Sequence, residues 1–195
     1  MAIWRGNRRM DRMVALLKKW FGNTTPPSVD NTYVALVARA RNPFFYTQMQ
    51  VPDTLDGRFE MIVLHLFLLQ HRLLQETGNP AATEFARQLS EAFFDDMDRS
   101  VRELGVADTG VSKRIKRMGK AYHGALQSYA AGLSDAVALR AALARNLYGT
   151  VPQGDVAVLD AMAAFIHAEL ATLAAVPVDV LLSGNYAWGE PAARR

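Results

Sequence analysis

Lys113, Arg114, Lys116, Arg117 and Lys120 fall within eight consecutive positions of the stretch GVSKRIKRMGKAYHGAL, residues 110–126, with no acidic residue among them. Like charges three or four apart on a helix cost a few tenths of a kcal/mol each, so an uncompensated row points to an anionic partner. Three partners fit that chemistry: RNA in a ribosome, anionic lipid headgroups, or an acidic protein surface. Aromatic residues do not interleave with the row as they do in single-strand binders, which makes sequence-specific nucleic-acid reading the weakest of the alternatives.

Other chemistry is harder to find. The four histidines, His65, His71, His123 and His167, include no pair at i, i+3 or i+4, and no Glu-x-x-His occurs, so zinc and di-iron patterns have no support. FFDDMDRS, from Phe93, has the look of an aspartate-rich diphosphate motif, but Arg99 stands where the third acid must be. Asp95 and Asp98 then belong to a solvated face, and Asp96, at the edge of the apolar stripe, to a structural salt bridge. Walker, dinucleotide and nucleophile-elbow glycine patterns do not occur. With no cysteine in 195 residues, disulfides, thiolate metal sites and cysteine nucleophiles are excluded. No cofactor is expected. His65, inside the apolar run MIVLHLFLL, reads as a core histidine with one hydrogen-bond partner; an enzyme centred on His65 or His123 is the rival.

The elements that must position these residues are helices. Apolar residues recur at helical spacing almost throughout, without sustained alternation or a two-residue hairpin signal, so the fold is expected to be all-α, a single compact bundle of about seven helices. The seven span about 8–21, 31–41, 57–76, 80–104, 111–132, 135–148 and 155–175. The third is apolar around most of its circumference and should be the buried centre. Asp30, Asn79 and Ser134 are the expected caps, with Pro80 at a first helical position, and RNPFFYTQMQVPDTLDG is expected to be a loop. In the fifth helix Val111, Ile115, Met118, Tyr122, Leu126 and Tyr129 form one stripe, and Lys113, Lys116, Arg117 and Lys120 lie opposite it, away from the core. Gly124 lies near that exposed face, where a missing side chain lets a partner approach.

The chain is expected to divide into a basic amphipathic N-terminal helix and linker at 1–29, an α-helical domain at 30–176 and an irregular tail at 177–195. The N-terminal helix either packs on the bundle or anchors at an anionic lipid surface through Trp20 and Phe21. It lacks the apolar stretch and cleavage site of a secretory signal. The net charge is only +3, so the basic character is local. The apolar runs at 61–69 and 161–176 are too short, or carry ionisable residues, and neither makes a convincing membrane span.

From Phe94 to Leu133 the chain resembles the ubiquinol–cytochrome c reductase assembly chaperone family. The resemblance is carried by MDRSVRELGVAD at 97–108, Val111, the basic run, AYHGAL at 121–126, Tyr129 and ALARNLYG at 142–149, with RNPFFYTQMQVPDTLDGRFEMIVLHLFLL upstream. It spans about residues 30–150. It implies a non-enzymatic assembly factor that holds newly made cytochrome b during construction of the respiratory complex III, peripheral to the inner membrane. In bacteria that means the cytoplasmic face; mitochondrial relatives work at the matrix side, beside the ribosome and with a small partner assembly factor. The short stretch before the first helix favours a bacterial protein. Lys113, Arg114, Lys116, Arg117, Lys120 and Gly124 are the expected partner contacts, joined by Arg102 and Asp108 as positions of the family pattern. The alternative is a basic helical module that binds ribosome, RNA or anionic membrane. The alanine-rich seventh helix is either core or a docking groove for a transmembrane client.

Overall fold

A computed structural model describes residues 25–105, 107–149 and 155–191, the side chains of 108 and 109 excepted. The expected helix at 8–21 and most of the expected N-terminal segment lie outside the described residues.

Residues 61–70 are buried without a break, so one helix is enclosed on every side. Its sequence, MIVLHLFLLQ, offers no polar face to turn outward, and the only solution is to surround it. Around it the described chain is helical, without strands: α1 Pro27–Ala40, α2 Pro43–Thr47, α3 Leu55–Leu74, α4 Pro80–Glu103, α5 Asp108–Gly132, α6 Ala136–Asn146, α7 Val156–Ala174 and α8 Val178–Leu182. The enclosed helix is α3, and α1, α4, α5 and α7 all pack against it. Helices α5, α6 and α7 follow one another as neighbours, and α1 also lies on α4.

Local chemistry sets the starts. Asn79 accepts from Ala82 N at 3.2 Å with Pro80 in the first turn, as the sequence indicates. Thr54 caps α3 through Gly57 N at 3.1 Å. Two caps differ from expectation. Asp135, not Ser134, caps α6, accepting from Val137 N and Ala138 N at 2.9 and 3.1 Å. Helix α1 begins at Pro27, three residues before Asp30, because a proline is preset for a first helical turn and needs no N–H partner there. The expected loop at 42–57 holds the short helix α2, capped by Asn42 with Pro43 behind it.

The segment from 177 is built onto the bundle. Leu181 is buried in α8, and Tyr186 and Trp188 pack on the core. Gly184 makes the turn between them at φ +76°, with Ser28 O only 2.5 Å from where a Cβ would stand. Arg39 donates to Gly189 O and to Glu169 Oε2, the latter at 3.2 Å, tying α1, α7 and the C-terminal segment together.

Helix α7 is the one described helix long and apolar enough to cross a membrane by length and composition. One face, Val158, Leu159, Met162, Phe165, Ile166, Glu169 and Leu173, is buried. That face is core.

Candidate functional site

Helix α5 presents its two faces as the 3.6-residue period requires. Val111, Tyr122, Ala125, Leu126 and Tyr129 are buried. Tyr122 Oη donates to Gln70 Oε1 at 2.9 Å and lies 2.9 Å from Ser90 Oγ, so α5 is keyed to α3 and α4 at one buried polar point. Phe93 and Phe94 close over the same ring at 5.3 Å each. With its apolar face fixed in this way, the opposite face has one orientation available. Lys113, Lys116, Arg117 and Lys120 are exposed, and Arg114 is half-buried at the flank. No ion pair to a described residue forms on any of the five.

Three of these face residues do more than line up. Arg117, Lys120 and Gly124 line a pocket of about 460 Å³ together with Ala121 and Ala125 of α5, Glu60 of α3, and Arg145 and Asn146 of α6. Gly124 leaves open space, since nothing stands within 4 Å of where its Cβ would be. Glu60 is the only acid between Asp56 and the end of α3, and its Oε2 is enclosed without a hydrogen-bond partner. Burial, with Asp56 one turn earlier adding to it, raises its carboxyl to about 7. Tyr129, fully enclosed beside Asn146 and within the field of Glu60, also has an unpartnered hydroxyl, and its pKa is pushed far up by burial. The pocket therefore has cations at its mouth and an under-satisfied carboxyl group in its wall. Such a group accepts or donates hydrogen bonds to a polar guest.

Arg102 and Asp108 stand apart from this pocket. Arg102 donates to Asp98 Oδ2 at 2.7 Å on its own helix, and Asp108 is the first residue of α5. Glu60, Arg145 and Asn146 were missed in the sequence as site residues. A lone acid in an otherwise apolar helix is the signal that could have found Glu60, and ALARNLYG contains Arg145 and Asn146, but nothing in one dimension brings residues 60, 120 and 145 together.

The remaining candidates resolve differently. His65 is fully buried, its Nδ1 2.8 Å from Met61 O and its ring against Phe45, Phe165 and Trp188. Burial lowers its pKa to about 4, so it is a neutral core imidazole at physiological pH. His123 lies on the exposed side of α5 with Nδ1 2.9 Å from Gly119 O. Among the described residues no three His, Cys, Asp or Glu side chains group to hold a metal. Asp96 accepts from Tyr33 Oη at 2.9 Å, a hydrogen bond where the sequence suggested a salt bridge. It lines an acidic cleft of about 860 Å³ between α1 and α4 with Asp30, Asp95, Asp98 and Arg99. Asp98 is already paired with Arg102.

Comparison with known proteins shows the family. A family model described as Ubiquinol-cytochrome C chaperone matches residues 47–188. Ubiquinol-cytochrome-c reductase complex assembly factor 1 of Xenopus laevis is 25% identical over 158 residues, covering 80% of this chain and 78% of that protein. The Mus musculus protein of the same name is 26% identical over 160 residues. There the match takes 80% of this chain but only 52% of the mouse protein, so the chain spans about half of that relative's length. The crystal structure of the Cbp3 homolog from Brucella abortus superposes with a TM-score of 0.72 at 34% identity, covering 93% of this chain and 96% of that one. The family match runs well past residue 150, where the resemblance read from the sequence fades, and takes in α7, α8 and Trp188. A helical core shared along nearly its whole length with a homologous crystal structure, and a family match over most of the chain, place this protein in the ubiquinol–cytochrome c chaperone family.

Proposed function

We propose that the chain is a non-enzymatic chaperone that holds newly made cytochrome b during assembly of the ubiquinol–cytochrome c reductase complex, working at the cytoplasmic face of the respiratory membrane. Family membership and the names of its relatives support the assembly role. One observation supports the site: four exposed cations on one face of α5, none compensated by a described acid. A row held out by a rigid, fully packed helix attracts an anionic surface without having to reorganise. Lys113, Lys116, Arg117 and Lys120 make the contact in this reading, with Arg114 at the flank and Gly124 allowing close approach; Arg102 and Asp108 mark the end of the face near the α4–α5 turn. A small partner assembly factor is compatible with the surface that remains.

The test is ubiquinol–cytochrome c reductase activity and cytochrome b abundance in membranes of a strain lacking the gene. Both should fall, and the wild-type gene should restore both. Lys116→Glu/Arg117→Glu should restore neither while keeping its helical content and melting temperature. Normal activity and normal cytochrome b in the deletion strain would sink the assembly reading. Full rescue by the double variant would remove the basic face from it. A ribosome- or RNA-binding module would instead leave cytochrome b untouched and show binding that falls steeply with salt.

A further inference from the structure

The row of lysines and arginines on α5 would attract any anion. The pocket beside it is more selective, for three reasons. Its mouth carries Arg117, Lys120 and Arg145, drawn from two helices, so the charge is gathered at one point and not strung along a track. A polyanion such as RNA needs a track and, for bases, exposed aromatic platforms; Tyr122 and Tyr129 are both in the core. A helix of acidic side chains would be met by the row alone and would have no use for a cup of about 460 Å³.

The second reason lies inside. Glu60 Oε2, in the wall of the pocket, is enclosed and has no hydrogen-bond partner. A buried polar group is rarely left so, and one at a pocket asks for a guest that carries hydroxyls. The third is space. Gly124 sits in the middle of the exposed face where any side chain would project into the opening, and nothing else fills that volume.

From this geometry we infer that the pocket between α3, α5 and α6 binds the headgroup of an anionic phospholipid bearing a polyol phosphate, of the phosphatidylglycerol type. The phosphate meets Arg117, Lys120 and Arg145, and the glycerol hydroxyls meet Glu60 and Asn146. Lys113 and Lys116 extend the same charge toward the surrounding anionic surface. The protein then docks on the membrane through a specific headgroup as well as through general attraction. The inference rests on the reading of the α5 face as the working surface, but it is measured without any client.

The full chain would be titrated with phosphatidylcholine vesicles containing about 20 mol% of either phosphatidylglycerol or phosphatidylserine, which match in charge and differ in hydroxyls. Binding to the phosphatidylglycerol vesicles should be about tenfold tighter, the effect of one or two added hydrogen bonds. Gly124→Leu, which puts bulk into the pocket without altering charge, at a position where a Cβ meets nothing within 4 Å, should remove that preference and leave the weaker, salt-sensitive binding. Arg145→Gln, an exposed position that meets the phosphate common to both lipids, should weaken binding to both vesicle types. Equal binding to the two vesicle types, or an undiminished preference in Gly124→Leu of normal melting temperature, would overturn the assignment. So would displacement by micromolar glycerol phosphate, which would make a soluble ester the ligand. Loss of the preference leaves the cytochrome b measurement untouched, and failure of that measurement leaves this one standing, so the two readings can fail separately.

Discussion

At the scale of single residues, half-buried Glu60 and buried His65 give the protein opposing responses to pH. Glu60 holds its proton more tightly in the folded state, at about 7 against an ordinary 4.5. The advantage of having it folded is full below pH 4.5 and is lost as pH rises through about 7. His65 is the reverse, with a folded value near 4 against 6.5, so its contribution is full above pH 6.5 and is lost as pH falls toward 4. From about pH 4.5 to 6.5 the two slopes cancel. Glu60→Gln removes one of them. Urea melts at a series of pH values should show the variant gaining on the wild type as pH rises through this interval and on to neutrality, by up to about 1 kcal/mol per pH unit. A difference that does not change with pH would show that the carboxyl is not held protonated. The cause is placement: Glu60 stands between the flanks of three helices, with its Oε2 enclosed and no hydrogen-bond partner for it.

At the scale of elements, α5 and the segment after α7 carry the argument. Helix α5 works because its apolar face is fixed by Tyr122, Gln70 and Ser90, so that substitutions on its exposed face change charge without changing fold. The C-terminal segment is a strap held by Arg39, Leu181 and Trp188, and Gly184 is its tightest point. Gly184→Ala introduces a methyl group against the Ser28 backbone in a left-handed conformation, and should destabilise the protein by more than about 1 kcal/mol. Gly189→Ala, where nothing lies within 4 Å, is the control and should be close to neutral. Thermal melts with limited proteolysis of the last residues distinguish a strap from a passive tail. Equal melting temperatures for both variants would remove the strap from the account of stability.

At the scale of the whole molecule, stability depends on α3. Leu66 is fully buried in its centre, and Leu66→Ala should cost about 2–5 kcal/mol, through lost transfer energy and the cavity left behind. Val137→Ala, at a position 72% exposed, should stay within about 0.5 kcal/mol. Denaturant midpoints check both, and a small loss at Leu66 would mean that the neighbours collapse into the space. The sequence by itself determined the long helices among the described residues, the enclosure of α3 and the outward direction of the basic row. Each follows from periodicity, which is a local property of consecutive residues. It also determined the family, because the ordered motifs of α3 to α6 survive as strings. Short elements escaped it: α2 and α8 are five residues long, below the span over which a helical period can be told from a loop. Tertiary structure alone decided that Glu60 and Arg145 share a pocket with Arg117, Lys120 and Gly124, and that Trp188 returns to His65. Those neighbours are set by how helices stack, and stacking answers to the shape of whole faces, which no short stretch of residues contains.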